Sequence, residues 1–172
     1  RDLGMPTALY VARLIHADLT IANASAWHWW LAMSPYDFKD GLIYVDKESE
    51  DGNFYGSKLL WALGNYSRFI RPGAKRISVT YDIYNTEENL KDGVLLSAYK
   101  NADDSIVLVV VNQQVATAHL ELNIDIPSNS KIESYVTSES NNLSKMPDAQ
   151  FGKSKIQVLG KSLTTFVFNK AD

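Results

Sequence analysis

The stretch "LWALGNYSRFIRPGAKRI" occupies Leu60–Ile77, and the chain changes character inside it. Its first half continues a helical pattern. Over Ser57–Ile70, "SKLLWALGNYSRFI", the residues Leu60, Leu63, Ser67 and Ile70 fall on one stripe, flanked by Leu59, Trp61 and Phe69. Ser57 is suited to accept the first free amide hydrogens as an N-cap. Arg71-Pro72-Gly73 then stops the helix, because proline cannot continue one and glycine frees the turn. From Lys75 onward the apolar period drops from 3.6 to 2.

Working back from the junction, the first third reads as helix, strand, loop and helix. Met5–Ile21, "MPTALYVARLIHADLTI", places Leu9, Ala12, Leu14, Ile15, Leu19 and Ile21 near helical spacing, with Pro6 tolerated in the first turn. Asn23 is a stop. Next comes "ASAWHWWLAM", Ala24–Met33, an unpunctuated apolar run whose length and aromatic content predict a strand buried on both faces. A polar loop over Ser34–Gly56 follows, with "GLIYVD" as a short strand within it. This is the rhythm of an α/β barrel or layered sheet, and one strand cannot complete a sheet.

Working forward, "RISVTYDIY", "VLLSAYKN", "SIVLVVVNQ", "ATAHLELNID", "KIESYVTSE", "KIQVLG" and "LTTFVFNK" alternate as strands. The turn signals "KDG", "NADD", "PSNS" and "SESNNLSKMPD" separate them. Short strands at this spacing predict an antiparallel β-sandwich. The expected division is therefore 1–73 and 74–172, with a junction too short to act as a flexible hinge. Unpaired edges are expected on Ala24–Leu31 and in the sandwich, and such edges invite association.

Composition narrows the chemistry. The 172 residues carry a net charge of −3 with a pI of about 5.6, which disfavours nucleic acid as a partner. No apolar run reaches the length of a membrane span. Cysteine is absent, so disulfides, thiol catalysis and thiolate zinc sites are excluded. The opening "RDLGMPTALY" has neither an initiator Met nor a signal peptide, and reads as the interior of a longer chain.

The titratable residues suggest no catalytic centre of their own. Asp37, Asp40, Asp46, Glu48, Glu50 and Asp51 lie in a polar loop whose spacing fits no EF-hand, so a solvated loop is the simpler reading. Glu87, Glu88, Asp103 and Asp104 read as turn residues. His16, His28 and His119 show no ligand spacing, and neither a metal nor a cofactor is expected.

The junction motif Ser67-Arg68-Phe69-Ile70-Arg71-Pro72-Gly73 resembles the point in glycoside hydrolase family 30 where the last barrel helix enters a β-sandwich. "AWHWW" resembles that family's eighth barrel strand. "VLLSAYKN", "IVLVVVN", "YVTSESNNL" and "SLTTFVFN" are similar, in order, to its sandwich segments. The resemblance implies the C-terminal part of a (β/α)8 (TIM) barrel, namely helix seven, strand eight and helix eight, followed by an antiparallel β-sandwich. It also implies a retaining hydrolase of β-linked polysaccharide. Retention needs two carboxyls about 5 Å apart across the bond. By this alignment both glutamates precede Arg1, so the catalytic set within this chain is empty and the chain alone is expected to be inactive. Its partners would be a carbohydrate and the remainder of the barrel. The protein would be secreted, periplasmic or on a bacterial cell surface.

Substrate contacts are then assigned to Trp30, Tyr36, Trp29 and His28. Alternation along a strand puts His28 and Trp30 on one face and Trp27 and Trp29 on the other. Trp30 is nearest the C-terminal strand end, where barrel active sites lie, and the resemblance makes it a sugar-stacking floor. Trp27 and Trp29 read as packing under helices, and His28 also as a polar partner in the core. Tyr36 matches a family tyrosine that contacts substrate. Met33 and Ser34 stand where the glucuronate-reading xylanase branch carries arginine, which predicts a neutral glycan. "SPYDFKDGLIYVD" is similar to the endo-β-1,6-galactanase-like branch, which points to β-1,6-galactan. The alternatives are a stand-alone carbohydrate-binding module and a non-catalytic paralogue.

Overall fold

The structure, a computed structural model, describes residues 1–47, 50–80, 91–124, 130–147 and 155–169. Glu48, Glu87, Glu88, the end of "RISVTYDIY" and most of "PSNS" lie outside the described residues. Helix α1 covers Met5–Thr20 with Pro6 in its first turn. Asn23 takes the left-handed φ of 54° beyond it, and Ala24 N donates back to Asp18 O at 2.9 Å, which closes the helix. A small sheet follows, formed by β1 (Met33–Ser34), β2 (Ile43–Val45) and β3 (Phe54–Gly56), with β1 and β2 parallel. Helix α2 spans Lys58–Ser67, and Ser57 Oγ accepts from Leu60 N at 3.3 Å as its N-cap.

Beyond the junction, β4 (Lys75–Ile77), β5 (Val94–Lys100), β6 (Ile106–Asn112), β7 (Ala118–Glu121), β8 (Lys131–Thr137), β9 (Ser144–Lys145), β10 (Lys155–Val158) and β11 (Ser162–Asn169) form two antiparallel sheets. The larger has the order β4-β5-β6-β11-β8-β9, and the smaller is β10-β7. Each of the seven stretches read as strands contains one among the described residues, although "RISVTYDIY" does so only at Arg76–Ile77, and β9 arises in what was expected to be a turn.

The arrangement has three layers. On β6, Val107, Val109 and Val111 face a core shared with Ala8, Val11, Ala12 and Ile15 of α1 and Leu59, Ala62 and Tyr66 of α2. Leu108 and Val110 face the other core, with Ile156 and Val158 of β10 and Phe166 and Phe168 of β11. The unbroken apolar run "IVLVVV" is thus a strand buried on both sides. Helices cover one face of the large sheet and the β7–β10 pair covers the other, so the expected packing of sheet on sheet is present on that second face. Its edge strands, β4 and β9, run for only three and two residues, short enough to blunt edge-to-edge pairing.

Two further expectations are corrected. Helix α2 buries Leu59, Ala62, Asn65 and Tyr66, and Leu60 and Leu63 are only half-buried. Its buried face includes a polar side chain that hydropathy cannot flag. Asn65 Nδ2 donates to Thr165 Oγ1 at 2.9 Å and to Tyr135 O at 3.2 Å, and Thr165 Oγ1 donates to Asn65 O at 2.7 Å. Residues 24–30 do not form the buried strand predicted for Ala24–Leu31. A strand needs a ladder for its backbone groups, and none lies beside this stretch among the described residues. Only its end is paired, through Leu31 N to Asp40 O at 2.9 Å and Ile43 N to Ala32 O at 3.0 Å.

The junction motif is held by specific bonds. Asn101 Oδ1 accepts from Arg71 N at 3.0 Å and Asn101 Nδ2 donates to Phe69 O at 2.9 Å, tying the helix exit to the end of β5. The Phe69 and Tyr135 rings lie 4.5 Å apart, with the Arg68 guanidinium over both. Gly73 turns the chain at φ 87°, a conformation that a side chain would strain.

Candidate functional site

The aromatic segment keeps the alternation of a strand without being one. Trp27 and Trp29 are half-buried against the helical core and stack on each other at 5.8 Å with 13° between planes. Their indole N–H groups are anchored: Trp27 Nε1 donates to Asp18 Oδ2 at 2.8 Å and Trp29 Nε1 to Asp40 O at 2.7 Å. Trp30 and His28 point the other way. Trp30 is 79% exposed, and His28 is exposed where the core reading would have it buried. Trp29, named as a substrate contact, is half-buried with its N–H engaged by Asp40 O.

Tyr36 is 49% exposed and lies 5.9 Å from the Phe38 ring, with Lys47 Nζ 4.8 Å from its centroid. Ser34 is fully buried, and its Oγ accepts from Tyr36 N at 3.3 Å. Tyr44, also buried, donates its hydroxyl to Phe38 O at 2.7 Å and accepts from Gly41 N at 3.2 Å. A Cβ at Gly41 would come within 2.9 Å of the Ser34 Cβ and 3.0 Å of the Tyr44 ring, so this turn needs glycine. Met33, Phe38 and Phe54 are exposed beside these groups at 57%, 65% and 77%. Sequence reasoning passed over Phe38 and Phe54, although the aromatic spacing in "YDF" and "NFY" was visible.

Sequence reasoning also missed Arg1. Its Nε donates to Asp37 Oδ1 at 2.6 Å, and its guanidinium carbon lies 5.5 Å from the Tyr44 ring centroid and 5.3 Å from that of Tyr55. This bond holds the Asp37 carboxyl below the usual range. Among the other loop carboxylates, Asp46 Oδ2 accepts from Asn53 N at 2.9 Å. No group of three His, Cys, Asp or Glu side chains among the described residues could hold a metal ion. No helix among them is long and apolar enough to cross a membrane. What this face offers is ring surface for an apolar ligand face, with hydrogen-bonding groups around it.

Comparison with known proteins places the chain. It is 27% identical over 169 residues to the glucuronoxylanase XynC of Bacillus subtilis, covering 96% of this chain and 35% of that protein. A conserved exported protein from Bacteroides fragilis superposes with a TM-score of 0.82 at 34% identity, over 95% of this chain and 33% of the other. The GH30 endoxylanase from Clostridium papyrosolvens C71 superposes at 0.74 with 26% identity, over 98% of this chain and 39% of the other. The chain therefore spans only about a third of the length of such relatives. Residues 1–44 match the family model for O-glycosyl hydrolase family 30, and residues 73–166 match that for the glycosyl hydrolase family 30 beta sandwich domain. On the strength of that sandwich match, which alone takes in more than half of its residues, the chain belongs to glycoside hydrolase family 30.

Proposed function

We propose that this chain is the C-terminal portion of a retaining glycoside hydrolase that cleaves a neutral β-linked polysaccharide. Residues 1–73 supply the end of the barrel and 74–172 the sandwich. The two glutamates stand on the remainder of the enzyme, so the chain by itself does not turn over glycosides. The observation that carries this reading is Trp30, a large indole face left open while its neighbours Trp27 and Trp29 are packed and hydrogen-bonded beneath it. Trp30 and Tyr36 form the sugar floor, His28 offers a hydrogen bond at its margin, and Trp29 acts from below. The half-buried Leu60, Trp61 and Leu63 on α2, and a cavity of about 460 Å³ lined by Trp27, Leu19, Leu63 and Ile70, are surfaces for the rest of the barrel to cover.

Xylan is the first substrate to consider, because the relatives carry xylanase names. The β-1,6-galactan expectation, drawn from residues 34–46, finds no counterpart in those names. A requirement for glucuronate is disfavoured. Met33 is apolar, Ser34 is buried, Arg1 is engaged by Asp37, and Lys47 offers a point charge in place of a planar fork. The name of the Bacteroides fragilis protein supports an exported enzyme.

Assays of the complete enzyme on plain xylan, glucuronate-decorated xylan and β-1,6-galactan test this reading. Comparable hydrolysis of both xylans is expected. A strict need for the acidic substituent refutes the neutral assignment, galactan cleavage with inert xylan reinstates the galactan branch, and no cleavage of any β-glycan leaves a binding paralogue.

A further inference from the structure

We propose that Arg1 is a positioning residue for the glycan-facing loop, setting the place of Tyr36 by bonding its neighbour Asp37 while its guanidinium rests on Tyr44 and Tyr55. The inference rests on the reading of Tyr36 as a substrate contact.

Arg1 and Tyr36 lie on different connections, one leading into α1 and the other following β1. Arg1 holds Asp37 through its side chain, Nε donating to Oδ1 at 2.6 Å. The side chain of Asp37 is thereby fixed. The guanidinium also lies near two rings: Tyr44, 1% exposed, and Tyr55, its cross-strand partner in β3. Tyr44 in turn holds Phe38 O, and Ser34 Oγ holds Tyr36 N. Tyr36 therefore sits in a loop tethered at positions 34, 37 and 38, and among the described residues only the tether at Asp37 comes from outside the loop and its small sheet. A planar guanidinium suits this place because it can accept a ring on its face while donating along its edge. Arg1 touches no substrate in this arrangement. Its effect passes through Asp37 to Tyr36.

The test is steady-state kinetics on xylan with the complete enzyme and its Arg1→Ala, Arg1→Lys and Asp37→Ala variants, alongside melting temperatures. Arg1→Ala is expected to raise KM by roughly fivefold, near the upper end of what an exposed ion pair supplies. kcat should stay within about twofold, since the bond acts on binding geometry and not on the reacting groups. Asp37→Ala should match it, the double variant should be no worse than either single one, and Arg1→Lys should recover part of the loss. The melting temperature should hold, because the Asp37 side chain is 71% exposed. An unchanged KM overturns the proposal, as does a fall in kcat and melting temperature together at constant KM. Wild-type enzyme inert on every β-glycan overturns the functional reading and this inference with it, whereas active wild type with an indifferent Arg1→Ala variant overturns only the inference.

Discussion

Strand β6 and the segment from Ser25 to Ser34 are similarly apolar, yet they end in opposite situations. β6 is paired on both edges, with β5 and β11, and covered on both faces, so Val107, Val109, Val110 and Val111 are all fully buried. The tryptophan segment has no strand paired with it along most of its length among the described residues, and it leaves Trp30 at 79% exposure. Apolar content becomes a buried strand only where the chain also supplies a ladder and a second layer. Where it does not, order comes from side chains: two indole N–H bonds and one ring stack hold the tryptophan segment.

The sheet side of this contrast can be broken outright. Phe166→Ala removes a ring that is 3% exposed between the large sheet and the β7–β10 pair. It should cost roughly 3–5 kcal/mol, read by denaturant unfolding with the slope unchanged. A loss under about 1 kcal/mol would place Phe166 among surface-like substitutions and would break the two-core description.

A second test addresses the seam between helix and sheet. His16 on α1 is 5% exposed, its Nδ1 has no hydrogen-bond partner among the described residues, and it borders a cavity of about 230 Å³ shared with Arg76 and Ser97. Burial lowers its pKa from 6.5 to about 4. Between these values the unfolded chain binds the proton and the folded chain does not, so stability is complete above pH 6.5 and falls as the pH drops toward 4. The loss attributable to this group is about 3 kcal/mol. A His16→Leu variant should lack that part of the pH dependence. Parallel unfolding curves for the two proteins from pH 7 to pH 4 would show that α1 does not bury the imidazole.

Much of this was legible in the sequence, for identifiable reasons. The sandwich strands could be read because period-2 alternation and turn residues are local signals. Ser57 could be read as a cap because capping is settled within three residues. Alternation placed Trp27 and Trp29 opposite His28 and Trp30 correctly even though the strand itself was absent, since any extended backbone alternates. The buried face of α2 could not be read, because Asn65 is chosen by partners on β8 and β11 that are far away in sequence. Nor could Arg1, whose partners Asp37, Tyr44 and Tyr55 are brought to it by the packing of the small sheet.

The smallest effect on stability should accompany the largest on binding, and it falls on Trp30. We compare Trp30→Ala with Trp27→Ala in the complete enzyme, measuring melting temperature and KM for xylan on the same preparations. Trp27→Ala loses a half-buried ring, its stack on Trp29 and the bond to Asp18, so it should lower the melting temperature. Trp30→Ala should change stability by less than about 0.5 kcal/mol, as an exposed position does, while raising KM clearly above that of Trp27→Ala. If instead Trp30→Ala lowers the melting temperature and leaves KM unchanged, the ring is structural and Trp30 is not the floor of a sugar site.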